Sequence, residues 1–131
     1  ESNFGFELAM EWIDDKNQII AAAGWSTLCS LVAIKQDNEM DIQVLKTLLK
    51  RVEDNIHQSD NRVKLKMNTF VISAGSYVIA LTDYAIAVAK KIGEVKVNMG
   101  GTACKVPDAV SYILKIKDRG TLGKKKKMAR C

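Results

Sequence analysis

Basic side chains are the residues in this chain whose type and spacing point most clearly to a chemistry. Residues 90–131 contain 12 Lys and Arg against three Asp and Glu, whereas residues 1–89 contain eight Lys and Arg against 12 Asp and Glu. Clustered cations favour a polyanion as partner, because neutralising phosphates releases condensed counterions. The lysine run at residues 124–127 is, by itself, equally typical of a solvated tail that keeps a protein soluble.

Further basic residues occur in pairs whose spacing matches one face of a helix. Arg62 and Lys66 are four residues apart, as are Lys115 and Arg119, so each pair lies on one face of a helix. We therefore expect helix ends to present cations along one concave surface, for which the DNA backbone is one candidate extended partner. The predicted contact residues are Arg62, Lys66, Lys90, Lys91, Lys105, Lys115, Arg119, Lys124, Lys125, Lys126 and Lys127. Aromatic residues make up only 6% of the chain and do not alternate with the basic clusters, so base stacking is not predicted.

Candidates for catalysis or metal binding are few. His57 is the only histidine, and it falls at the end of a predicted helix, where a cation complements the helix dipole. Cys104 comes just before Lys105 and a predicted helix start, both of which favour a thiolate. No His or Asn nearby completes a nucleophilic site, so a packed or merely exposed cysteine is the alternative. Cys104, Cys131 and His57 lack zinc-motif spacing, and neither a metal nor a cofactor is predicted.

Two short motifs have structural interpretations. Asp14 and Asp15 are adjacent, and adjacent helical residues point about 100° apart. Spacing alone therefore does not pair these carboxylates for acid–base chemistry, and we expect them to end or cap a helix. Gly100 and Gly101 are not followed by the Lys and Ser or Thr of a phosphate-binding loop, and no strand is predicted before them, which excludes that motif.

The composition is that of one folded domain or of part of one. The 131 residues are 47% hydrophobic and 27% charged, and a single Pro with eight Gly favours long helices over many short strands. The longest apolar run, residues 19–24, is too short to span a bilayer, and no signal-peptide pattern is present. Three cysteines without paired spacing indicate a reducing, cytoplasmic location. The chain opens without Met inside a predicted helix, so we expect a fragment of a longer protein.

Apolar periodicity predicts five or six helices. They are expected at residues 4–13, 17–35, 41–56, 61–78, 82–92 and 107–120, with a loop at residues 94–103. The second helix is apolar nearly all round and is therefore predicted to be central. The expected N-caps are Asp41, Ser59 or Asp60, and Thr82, and Gly93 is an expected left-handed C-cap.

The spacing of these helices predicts the architecture. Successive helix starts lie about 20 residues apart, so two helices occupy about 40 residues, the period of HEAT-like units. The predicted fold is all-α, with about six helices in HEAT-like antiparallel pairs that stack into an α-solenoid superhelix. This domain is expected to span residues 1–120, followed by a basic, loosely ordered tail at residues 121–131. A compact helical bundle is the alternative.

Three stretches of the chain carry a resemblance to a known family. They are residues 8–35 (LAMEWIDDKNQIIAAAGWSTLCSLVAIK), residues 60–78 (DNRVKLKMNTFVISAGSYV) and residues 95–131, which include GGTACKVPDAVSYI and RGTLGKKKKMARC. Together they resemble the C-terminal part of the DNA alkylation repair enzymes, a HEAT-like helical family. Members that act as glycosylases excise alkylated purines from duplex DNA, which they hold in a basic concave groove. The resemblance therefore implies a HEAT-like fold and duplex DNA as partner.

The residues that the family's glycosylases place against the lesion are not matched. The helix with the catalytic Trp and Asp would precede this chain. The expected Arg falls near Ile20 or Ala21, and the expected second Trp falls near Thr69. Trp12 and Trp25 fit helix–helix packing instead. The resemblance thus implies fold and ancestry rather than catalysis, and no catalytic residue is predicted.

Three functions remain open on the sequence alone. The leading hypothesis is a DNA-binding, HEAT-like fragment of an alkylation-repair-like protein, related to the removal of alkylated purines. The alternative is a helical-repeat scaffold that binds a protein partner and has no nucleic-acid role. The third is DNA glycosylase activity in this chain itself.

Overall fold

The computed structural model describes residues 4–99, 102–104 and 106–125. Six α-helices make up most of this part of the chain: α1 (Phe4–Trp12), α2 (Gln18–Ile34), α3 (Ile42–Asn55), α4 (Asn61–Tyr77), α5 (Thr82–Ile92) and α6 (Ala109–Asp118). Short 3₁₀ turns lie at Asp37–Glu39, Ile56–Gln58 and Ile79–Leu81. The all-α prediction with about six helices is confirmed.

The helices form pairs in two layers. Helix α2 packs against α4, and α4 packs against α6, so these three helices form one layer. Helices α3 and α5 contact each other in the second layer, and α1 packs on α2. Because α3 also contacts α4 and α5 also contacts α6, the pairs α1/α2, α3/α4 and α5/α6 repeat along the chain. This is the HEAT-like arrangement of antiparallel pairs that the helix spacing predicts.

In the described part of the chain, no single helix is both long enough and apolar enough to cross a membrane. Only α4 together with Ile79–Ile92 satisfies the length and composition of a span, and this pair is bent by 117°.

The core is centred on Trp25 of α2. Its side chain is fully buried, and its ring centroid lies 5.4 Å from that of Phe70 on α4. The buried positions of α2 cover about half of its circumference, at Ala21, Ala22, Gly24, Trp25, Leu28, Cys29, Val32 and Ala33. This buried half packs against α1 and α4, which gives α2 its central position, whereas Ile19 and Ile20 lie on the opposite side and are exposed.

Replacing Trp25 with Ala is expected to lower the free energy of unfolding by about 3–5 kcal/mol, because it leaves a large cavity beside Phe70. Urea denaturation measures the change. Trp25→Phe is the matched control, since it keeps an aromatic ring against Phe70 and removes an indole N–H that has no hydrogen-bond partner among the described residues. The Phe variant is expected to lose less than half as much. A loss below about 1 kcal/mol in Trp25→Ala would contradict the central position of this ring.

Helix N-termini are capped as predicted at one position and differently at others. The Asp41 carboxylate accepts hydrogen bonds from the N–H groups of Gln43 and Val44. Asp60 occupies the N-cap of α4, but its side chain makes no capping bond. The prediction for Thr82 was wrong, because this buried residue is the first of α5 and its hydroxyl donates to the Gly75 carbonyl at 2.7 Å. The hydroxyl thus satisfies a carbonyl near the C-terminal end of α4 instead of the N–H groups of its own helix.

The segment predicted as a loop at residues 94–103 contains a small antiparallel pair of strands, β1 (Val97–Met99) and β2 (Thr102–Cys104). Val97 lies opposite Cys104 in this pair. Val95 and Val97 are both buried, so their alternation with polar residues is strand periodicity, which the loop prediction ignored.

Two glycines end helices as the sequence indicates. Gly93 has φ +69° but ψ −148°, so it uses positive φ outside the left-handed helical region that was predicted. Gly120 has φ +73°, and the N–H of Thr121 donates to the Ile116 carbonyl, which closes the end of α6.

Candidate nucleic-acid interface

A groove lies between the exposed faces of α2, α4 and α6. Its volume is about 340 Å³, and seven of its twelve lining residues carry a hydroxyl group: Ser26, Ser30, Thr69, Ser73, Ser76, Tyr77 and Tyr112. The other five are Cys29, Ala33, Lys66, Ile72 and Ile116. We call this feature the hydroxyl groove. None of its lining residues carries a carboxylate, so nothing in the lining repels an anion.

One face of α4 forms the floor of the hydroxyl groove. Arg62, Lys66, Thr69, Ser73 and Tyr77 follow one another at spacings of three or four residues and therefore share this face. Arg62 is exposed, whereas the Lys66 side chain is half-buried in the groove lining. The predicted i, i+4 pair thus leads from the N-terminal end of α4 into the groove.

Helix α6 forms one wall of the hydroxyl groove. Tyr112 and Ile116 line it, and Lys115 and Arg119 lie three and seven residues beyond Tyr112, on the same face of the helix. Tyr112 is 48% exposed, and both cations are exposed. The structure therefore places the second predicted i, i+4 pair beside the groove.

The segment at residues 121–125 crosses the C-terminal ends of α4 and α2. The Gly123 N–H donates to the Ser76 carbonyl at 2.8 Å, and the Lys125 Nζ donates to the Val32 carbonyl at 3.0 Å. Gly123 has φ +77°, and a Cβ there would lie 2.7 Å from the Ile79 side chain, so this crossing requires glycine. Lys124 and Lys125 consequently lie at the end of the groove opposite Arg62, where cations also complement helix dipoles.

The remaining predicted contact residues are not brought to the hydroxyl groove. Lys90 and Lys91 are exposed at the C-terminal end of α5. Lys90 lines a separate depression of about 400 Å³, where Glu94 and Asp108 also line the wall and offset its charge. The predicted residues Lys105, Lys126 and Lys127 lie outside the described residues.

Of the twelve groove-lining residues only Lys66 was among the predicted contacts, and the missed ones include Ser73, Ser76, Tyr77 and Tyr112. Ser76 is only 2% exposed, and its hydroxyl has no hydrogen-bond partner within the described part of the chain. Extending the helical spacing from Arg62 and Lys66 would have found Ser73 and Tyr77. No local signal indicates that Tyr112, on another helix, lies in the same groove.

The candidate catalytic residues have structural roles. Asp14 pairs with Arg51 at 2.6 Å, and the Asp15 carboxylate accepts from the Asn17 N–H at 2.8 Å, so the two acids do not act together. The His57 Nε2–H donates to the Ile92 carbonyl at 2.7 Å, which caps the last turn of α5. Cys104, the candidate thiolate, belongs to β2 opposite Val97, and the next helix begins only at Ala109.

No group of three or more His, Cys, Asp or Glu that could hold a metal ion is found among the described residues. Thr69, where the family's second Trp was expected, lines the hydroxyl groove and donates its hydroxyl to the Leu65 carbonyl. Ile20, near the position of the expected Arg, is an exposed apolar residue. Neither position supplies the group that the glycosylases of the family use.

Comparison with known proteins identifies relatives of the whole chain. No protein-family model matches it. An uncharacterised protein of Listeria monocytogenes is 36% identical over 111 residues, or 85% of this chain, and an uncharacterised protein of Listeria innocua is 35% identical over the same length. The chain spans about half the length of these curated relatives, 46% in both cases.

A solved structure matches the chain over its full length, with a TM-score of 0.91 and 34% sequence identity. The match covers 56% of that solved chain. It represents a family described as related to the HEAT-like repeat DNA glycosylases and as having affinity for branched DNA structures. Fold and helix order agree with that structure along the whole chain, so this chain has the HEAT-like repeat fold of a family related to the DNA glycosylases and is similar to it in sequence.

Proposed function

We propose that this protein binds DNA at the hydroxyl groove and at the cations around it, and that branched DNA is its preferred partner. The observation that carries the proposal is the distribution of charge. Arg62 and Lys66 lie at one end of the groove, and Lys115, Arg119 and Lys124 lie toward the other, while no groove-lining residue is acidic. A sequence-independent attraction for phosphates follows from such an arrangement.

The spacing of the cations suits a nucleic-acid backbone. Residues 62 and 76 span about 21 Å along α4, at about 1.5 Å per residue. One strand of duplex DNA carries a phosphate about every 3.4 Å of axis, so the face of α4 between these residues extends along about six phosphates. The family of the solved relative has affinity for branched DNA, which supports a DNA junction as the partner whose backbone binds here.

Removal of alkylated purines is not favoured by this site. The lining residues of the groove include no carboxylate to stabilise a developing positive charge and no indole to stack against a lesion. DNA binding without base excision is therefore the function that we propose. A cytoplasmic location is part of the proposal and is supported by the three cysteines without paired spacing in the sequence.

Binding of a three-way junction and of a linear duplex with matched length and composition, measured by fluorescence anisotropy over a series of salt concentrations, tests the proposal. We expect tighter binding of the junction and a slope of log affinity against log salt of about −4, since each of four or five phosphate contacts contributes about −0.9. Absence of binding at low salt, or a flat slope, would sink the proposal. A protein partner that survives nuclease and high salt would then favour the interaction scaffold.

A further inference from the structure

We propose that the hydroxyl groove receives one unpaired nucleotide from the branch point of the DNA, with its base against Tyr112 and Tyr77 and its phosphate beside Lys66. This inference rests on the proposed function and adds what the groove itself binds. The cations outside the groove hold the paired arms, and the groove holds the nucleotide that has no partner.

The size and lining of the hydroxyl groove suit a nucleotide. Its volume of about 340 Å³ lies within the range for small-ligand sites, whereas a base pair with both backbones would not fit. One cation, two tyrosines and two isoleucines line it together with serine and threonine hydroxyls. A free inorganic anion would gain nothing from the aromatic and aliphatic part of this lining, whereas a base would use it.

The tyrosines provide faces on which a base can stack. Tyr112 lies on the wall formed by α6 and is 48% exposed, and Tyr77 is half-buried at the end of α4. Unstacked bases are commonly bound on aromatic side chains, and such stacking tolerates any sequence because every base has a π-face. Both tyrosines line the same groove, although 34 residues separate them in the chain.

Ser76 is the second observation that points to a ligand. Its hydroxyl is buried and has no hydrogen-bond partner among the described residues, yet the residue lines the groove. Most buried polar side chains in folded proteins have a partner. A hydroxyl group both donates and accepts, so it can bond the edge of a base or a sugar oxygen that enters the groove.

Three DNA probes test the inference: a three-way junction with two unpaired nucleotides at the branch, the same junction fully paired, and a linear duplex. 2-Aminopurine at the unpaired position reports stacking through quenching of its fluorescence. Tyr112→Ala is expected to weaken binding of the first probe at least tenfold and to relieve the quenching, whereas the loss on the fully paired junction and on the duplex is expected to be markedly smaller. Leu114→Ala is the matched control, since it alters an exposed apolar side chain of the same helix outside the groove.

Ser76→Ala gives a second readout that a purely structural role would not produce. Loss of a buried, unpartnered hydroxyl is expected to leave the urea midpoint unchanged or to raise it, while affinity for the unpaired junction falls about threefold to tenfold. Unchanged affinity in both variants, or an equal loss on all three probes, overturns the inference and leaves the proposed function standing. Failure of the unmodified protein to bind any of the probes overturns both.

Discussion

Replacing Arg62, Lys115 and Arg119 with glutamine is expected to lower the affinity for branched DNA by about 10²–10³-fold at 0.1 M salt. Each lost phosphate contact reduces the slope of log affinity against log salt by about 0.9, so three contacts reduce it by about 2.7. All three side chains are exposed, and none lines the hydroxyl groove. We therefore expect the melting temperature to change little, since exposed substitutions are usually within about 0.5 kcal/mol of neutral.

A charge-matched control distinguishes the effect of the cations beside the hydroxyl groove from the effect of the protein's net charge. Lys16, Lys46 and Lys50 are three cations away from the groove, and replacing them with glutamine removes the same total charge. Lys50 pairs with Glu53 at 2.7 Å and with Asp54 at 3.2 Å, but exposed pairs of this kind contribute little to stability. We expect this control to lose less than about threefold in affinity. Equal losses of affinity in the two triple variants would show that the cations beside the hydroxyl groove do not form the binding surface.

The elements that carry the fold follow from local patterns in the sequence. The apolar sequence of α2 predicts its central position, and the i, i+4 spacing of Arg62 and Lys66 predicts their shared face on α4. Regular helix spacing then gives stacked pairs. These features depend on residues within one or two turns of each other, which is why a single sequence reveals them.

Features that depend on contacts between distant segments were not predicted. Tyr77 and Tyr112 line the same groove only because α4 and α6 lie side by side. The sequence of neither helix alone indicates that the two are neighbours. Thr82 has the type of an N-cap, but the carbonyl of Gly75 competes for its hydroxyl once α4 and α5 pack. The sequence indicates only that Lys125 belongs to a polar terminal segment. In the structure its Nζ donates to the carbonyl of Val32, which is far away in the chain.

The second large effect that we expect is a loss of stability, and it depends on the packing of α4 against α6. Gly75 lies close to both α6 and α5, since a Cβ at this position would be 2.6 Å from Cδ1 of Ile113 on α6 and 3.0 Å from Cβ of Ala85 on α5. Ile113 is fully buried, so its side chain has no open space into which to move. Gly75→Val is therefore expected to lower the free energy of unfolding by about 3 kcal/mol, at the upper end of the range for added core methylenes.

Gly5→Val is the matched control, because a Cβ at Gly5 in α1 meets no atom within 4 Å. Ile113→Ala alone is expected to cost about 2–5 kcal/mol through the cavity that it leaves. The double variant is expected to cost clearly less than the two single changes together, because Ile113→Ala removes the nearest atoms that a side chain at position 75 would meet. Urea denaturation of the four proteins in this cycle measures the coupling. Additive losses, or a Gly75→Val variant as stable as Gly5→Val, would mean that α6 does not pack against α4 at Gly75, and the wall of the hydroxyl groove would then lose its support.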